Sequence, residues 1–134
     1  MNVVDLDGNH SMWQLTGHMA KASKKSSYHI QARELLNEIF PTLQTLEEVP
    51  ICVRRRETLY LDFYLPLKKL CVEVHGEQHY KFVGHYHPTK LAFFKGQKRD
   101  REKVEWCELN GIRCVELPHY ETVEQWKGRI LGDD

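Results

Sequence analysis

The chain has 134 residues, with 19 Lys and Arg balancing 19 Asp and Glu. That length suits one domain with a single core, and the zero formal charge gives no global sign of a polyanionic partner. No stretch approaches the ~20 apolar residues of a membrane span, and the N-terminus lacks the basic and apolar regions of a signal peptide.

Residues 1–25 read as an irregular segment or arm with room for a short strand. Trp13 is a candidate to pack back on the core, and Lys21, Lys24 and Lys25 make the segment basic. The domain proper is expected over 26–134. Ser26 or Ser27 is a helix N-cap, and 28–40 reads as a helix with Ala32, Leu35, Leu36 and Ile39 at helical spacing, ended by Pro41. Residues 46–53 read as a strand that runs into Arg54-Arg55-Arg56.

Stretches 59–65 and 70–76 are rich in aliphatic, aromatic and β-branched residues, as strands are. Four residues separate them, which is hairpin length. Residues 76–89 form a loop dense in polar and aromatic side chains, a length that more often carries function than not. A long helix follows over 91–109, with Gly96 as its weak point and Asn110-Gly111 as its C-terminal cap. Residues 112–117 read as a strand and 121–130 as a last helix. The order predicts an α/β (α+β) fold, a mixed sheet flanked by helices.

Alternation along the hairpin puts Tyr60, Asp62 and Tyr64 on one face, and Cys71, Glu73 and His75 on one face. A turn centred between Leu67 and Lys68 sets Asp62 opposite Glu73, with Cβ atoms ~5 Å apart. Two facing carboxylates repel unless a cation lies between them, and hard oxygen ligands at that separation suit Mg²⁺ or Mn²⁺. On the long helix Phe93, Gln97, Asp100, Val104 and Cys107 fall on one stripe. Its apolar members should face the sheet, so Asp100 needs a partner, a metal or a proton. His75 adjoins the acids as a candidate acid, base or phosphate-binding cation.

Candidate substrate contacts are the basic run Arg54, Arg55 and Arg56, and the polar groups Gln78, His79, Gln97, Lys98 and Lys103. His85 and His87 are lesser candidates. Lys90, Lys95, Arg99 and Arg101 add to the basic character of the long helix. Metal-held water attacking a phosphodiester is the chemistry that needs such parts. The four cysteines contain no Cys-x-x-Cys pair and read as buried thiols in a reducing compartment. A zinc site built from His79, His85, His87 and a cysteine is an alternative.

Asp62 followed by Glu73-Val74-His75 resembles the metal motif of the PD-(D/E)XK nuclease superfamily, whose core is αβββαβ, with His75 where a lysine usually stands. Val74-His75-Gly76 and Lys98-Arg99-Asp100-Arg101 are similar to the branch of very-short-patch repair endonucleases and EDxHD phage homing endonucleases. The resemblance covers about residues 27–120. It implies Glu34, Asp62, His75 and Asp100 as catalytic residues beside Glu73, with Glu38 competing for the Glu34 position. It implies a metal held by Asp62, Glu73 and the Val74 carbonyl, with His75 acting as base or orienting water. The expectation is an Mg²⁺- or Mn²⁺-dependent endonuclease cleaving DNA, in a bacterial or phage-infected cytoplasm. A monomer would nick, and a homodimer could cut both strands. The alternative is a nucleic-acid-binding module on the same fold that does not cut, which the absent lysine favours.

Overall fold

The computed structural model describes residues 1–15, 26–84 and 89–132. Helix α1, Ser27–Ile39, starts where the Ser26 hydroxyl accepts a hydrogen bond from the His29 amide. Such a cap satisfies one of the amides that a helix start leaves without an internal partner. Ala32, Leu35 and Leu36 form the buried stripe of this helix. Strands β3 (Leu46–Arg54) and β4 (Glu57–Leu65) are antiparallel, joined by a turn in which Arg56 takes a left-handed φ of 65°.

A 3-10 turn at Pro66–Lys68, with Lys69 left-handed, returns the chain into β5 (Leu70–His75). Helix α2 (Lys90–Leu109) crosses to β6 (Arg113–Pro118), which pairs parallel with β5. The sheet order is β3-β4-β5-β6. A capping box of Thr122 and Gln125 starts α3, Val123–Leu131. The expected order of helix, three strands, helix, strand and helix is therefore present, as a mixed sheet flanked by helices.

Two clusters divide the core between the faces of the sheet. On one side Trp106 and Cys107 of α2 pack on Val49, Ile51, Leu61, Tyr64 and Cys71. On the other, α1 and α3 bring Leu36, Trp126 and Ile130 against Phe63, Leu65, Val72 and Leu117. Simple alternation along β4 would keep Leu61 with Phe63, yet they belong to different clusters, and Leu61 joins Tyr64. The changeover falls at Asp62, beside the point where Glu48 of β3 has a φ of 50°. A left-handed residue within a strand interrupts the pleat and re-aims its neighbours.

The N-terminal segment, expected as irregular, holds a small ladder over residues 1–15. β1 (Asn2–Val4) pairs antiparallel with β2 (His10–Met12). Trp13 then enters the α2-side core, its ring 4.7 Å from Tyr64 and 4.9 Å from Trp106, and donates to the Pro50 carbonyl at 2.9 Å. Lys21, Lys24 and Lys25 lie outside the described residues, as do His85 and His87.

Candidate functional site

Pairing between β4 and β5 runs from Leu65↔Leu70 to Phe63↔Val72, a register that carries Asp62 opposite Glu73. At that point the acid side chains take over from the ladder. The Asp62 amide donates to Glu73 Oε2, and the Val74 amide donates to Asp62 Oδ2, both at 2.9 Å. Each acid thus grips the backbone of the other's strand. The arrangement also fixes both carboxyl groups at one point of the sheet, facing α2.

Glu73 is almost wholly buried. Burial first, and the Asp62 charge second, push its carboxyl well above the ordinary glutamate range, and Lys103 opposes them. Lys103 Nζ, carried by α2, stands 3.1 Å from Glu73 Oε1. That oxygen is buried and accepts no hydrogen bond of good geometry. A buried acceptor with spare capacity, next to a second carboxylate, fits a hard divalent cation.

Beyond β5 a 3-10 turn at Glu77–His79 folds the chain back, so that the rings of His75 and His79 stack 4.4 Å apart at 5°. His79 Nδ1 lies 2.8 Å from Asp100 Oδ2. Burial opposes the Asp100 charge, but the hydrogen bond and charge of His79 outweigh it and hold the carboxyl below its usual value. His75 Nδ1 is 3.6 Å from Glu116 Oε2. Burial and the neighbouring His79 lower the His75 pKa. The partner that Asp100 was expected to need is therefore His79.

The two histidines stand between two cavities. One, of about 210 Å³, is lined by Asp62, Glu73, Gln78 and Lys103 together with His29 of α1 and its cap Ser26. The other, of about 500 Å³, is lined by Gln97, Asp100 and Glu116 among others. Asp62, Glu73, Val74, His75, His79, Gln78 and Lys103 are thus brought together, with Asp100 and Gln97 adjoining.

Glu34 is not part of this assembly. It is exposed, as is Glu38. The apolar stripe of α1 turns its Ala32 and Leu36 to the sheet and leaves Glu34 on the flank. What α1 offers the site is His29, buried, stacked on Phe63 at 4.4 Å and bonded to Glu47 Oε1 at 2.7 Å. Arg33 closes the same carboxylate from two nitrogens, at 2.8 and 2.9 Å.

Arg54 is also committed elsewhere: its guanidinium pairs with buried Glu102, with Glu57 at 3.4 Å and with Asp7 at 4.0 Å. Arg55, Arg56 and Lys98 are exposed. Of the cysteines, Cys52 is exposed, while Cys71, Cys107 and Cys114 gather together and not with His79.

Sequence reasoning placed Lys103 among the substrate contacts and missed its pairing with Glu73. It missed His29 altogether, although its spacing to Arg33 puts both on one helix face.

Three viral proteins share part of this sequence. The chain is 44% identical over 61 residues to uncharacterized protein 307L of Invertebrate iridescent virus 6, covering 46% of this chain and 31% of the relative. It is 38% identical over 61 residues to uncharacterized protein 033L of Invertebrate iridescent virus 3, with the same coverage. It is 33% identical over 73 residues to uncharacterized protein 094L of Frog virus 3, covering 54% of this chain and 46% of the relative. The chain thus spans from under a third to under half of the length of these relatives. No family model matches the chain, and no solved structure matches it.

Proposed function

We propose that the chain is a divalent-metal-dependent endonuclease acting on DNA. The observation that carries this reading is the mutual brace of Asp62 and Glu73 with Lys103 3.1 Å from Glu73. Asp62 and Glu73 would hold the ion, with the Val74 carbonyl as the resemblance implies. An Mg²⁺ or Mn²⁺ bound there supplies charge stabilisation on the phosphate and a more acidic water.

The remaining roles belong to side chains of the chain itself. Lys103 brings an ammonium to the acid pair from α2, which supports it as the counterpart of the lysine that His75 replaces in the motif. An ionised Asp100 only accepts hydrogen bonds, so in its neutral form the His79 ring would carry its proton on Nδ1 and leave Nε2 as the base. The role of base, expected for His75, passes in this reading to His79, and the stacked His75 ring fixes the plane of its neighbour. Gln78 and Gln97 line the cavities in which a nucleotide strand would lie.

The test is nicking of supercoiled plasmid in Mg²⁺ and in Mn²⁺ by the full chain and by Asp62→Ala. Cleavage by the wild type that is lost in the variant supports the proposal, and undiminished cleavage by the variant ends it. A second reading, a nucleic-acid-binding module that does not cut, is favoured by one observation: Lys103 already sets a cation against Glu73. Tight DNA binding with no cleavage in any divalent metal would select it.

A further inference from the structure

Three of the four cysteines converge behind the acid pair from three separate elements. Cys71 lies in β5, Cys114 opposite it in β6, and Cys107 in α2. Their sulfur atoms all lie within 4.8 Å of one another, and the Cys71 and Cys114 sulfurs are 3.9 Å apart. With zinc–sulfur bonds of ~2.3 Å, two thiolates on one ion stand about 3.8 Å apart in tetrahedral and about 4.0 Å in trigonal geometry. The observed separation falls between those values and far outside the ~2.05 Å of a disulfide. Soft sulfur donors select soft, thiophilic cations over the hard ions that carboxylates prefer.

We propose that Cys71, Cys107 and Cys114 form a three-thiolate site for a thiophilic divalent cation of the zinc and cadmium type. The site is separate from the Asp62–Glu73 pair and does not depend on the nuclease reading. On binding, three S–H bonds give way to three metal–sulfur bonds, and the thiol protons pass to the buffer. The Glu73 carboxyl and the Lys103 ammonium act on Cys107 in opposite senses, and Lys103 also acts on Cys114.

Entry is from the Cys114 side: that residue is half-buried and lines a surface cavity with Val104 and Glu116, while Cys71 and Cys107 are buried. Among the described residues no further His, Cys, Asp or Glu belongs to the group, so the fourth position of a tetrahedral ion falls to water. The consequence is mechanical. Cys107 lies one helical turn beyond Lys103, and Cys71 two residues before Glu73. An ion here clamps α2 to β5 and β6 and holds Lys103 in register with its acid.

The full chain, purified with a non-chelating reductant, is loaded with Cd²⁺ or Zn²⁺ and freed of excess ion. The expected result is one retained equivalent, a sulfur-to-cadmium ultraviolet band, and a metal-edge X-ray absorption spectrum with three sulfurs. Cys52→Ala, outside the group, is expected to keep all three signals. Cys114→Ala is expected to weaken the band by about a third at saturation, one of three sulfur donors being gone, and to lose about tenfold or more in affinity.

A shell of nitrogen and oxygen alone in the wild type would overturn the proposal and move the ion to His75, His79 and Asp100. Failure of the reduced wild-type chain to retain metal would overturn it too. The wild-type spectrum decides the matter even if the cysteine variants do not fold.

Discussion

Lys103 lies 3.1 Å from Glu73, with only 17% of its side chain and 3% of the glutamate's exposed to solvent. Removing one partner of a withdrawn ion pair strands the other, which is why such losses exceed the net value of the pair. Lys103→Met is therefore expected to cost about 3 kcal/mol near neutral pH, toward the lower end for a buried pair because Glu73 can take up a proton. Adding Glu73→Gln should recover much of that loss, since the stranded charge is gone. Urea denaturation of the two variants checks both halves. A cost below about 1 kcal/mol would mean that water reaches the pair.

Asp100 Oδ2 lies 2.8 Å from His79 Nδ1, and that contact gives a prediction with a structural and a kinetic readout. Asp100→Asn can offer either its oxygen or its amide to Nδ1, so the imidazole loses its single preferred tautomer. Nitrogen NMR of the His79 ring should show the two neutral tautomers moving toward equal populations. In the proposed reaction, cleavage should fall by about 10²- to 10⁴-fold, the usual worth of a positioned base, with DNA affinity little changed. An unchanged tautomer ratio would remove Asp100 from the positioning role whatever the activity.

Much of this was legible from spacing alone, because a four-residue connection fixes hairpin register and hence the opposition of Asp62 and Glu73. The mutual grip on backbone amides was not, since it arises where the β4–β5 ladder stops and Glu48 interrupts the pleat of β3. Six basic residues crowd 90–103, and composition alone does not distinguish the one that turns inward. Lys103 is separated by helix geometry: it shares a face with Asp100 and Cys107, while Lys98 does not. His79 reaches Asp100 only through a 3-10 turn inside a loop whose sequence carries no periodicity. Glu34 lies apart from the gathered residues because a one-residue step on a helix is a 100° rotation, enough to carry it from the stripe of Leu35 to solvent.

Glu47 should govern acid stability. Burial opposes its charge, but the hydrogen bonds from Arg33 and His29 outweigh it and hold the carboxyl below the ordinary glutamate value. A carboxyl depressed in the folded state binds protons less readily there than in the unfolded chain. Its stabilisation is therefore complete above the unfolded value, ~4.3, and disappears as pH falls through the folded value. Glu47→Gln should lower stability near neutral pH by about 1–3 kcal/mol and flatten the decline on acidification below about pH 5. Thermal melts of both proteins from neutral to acidic pH check this. Parallel pH profiles for wild type and variant would remove Glu47 as the source of acid lability.

Asn110 shows how a residue can be assigned the right place and too small a role. Its position before Gly111 reads as a helix end, and the helix does end there. Its side chain also anchors the N-terminal ladder: Oδ1 accepts from the Val4 amide at 2.7 Å, and Nδ2 donates to the Val4 carbonyl at 2.9 Å and the Trp106 carbonyl at 2.8 Å. Asn110→Ala removes both bonds to Val4, worth about 1 kcal/mol each. The Trp13 ring still holds the segment to the core, so the expected change is local opening of residues 2–13 ahead of global unfolding. Hydrogen exchange at the Val4 amide should accelerate by about 30-fold, the factor that corresponds to ~2 kcal/mol, while the β5 amides change far less. Asn110→Asp is the sharper variant, because it keeps the acceptor for the Val4 amide and sets a carboxylate oxygen against two carbonyls. If Asn110→Asp protects the Val4 amide as well as the wild type does, Nδ2 contributes nothing to anchoring the ladder.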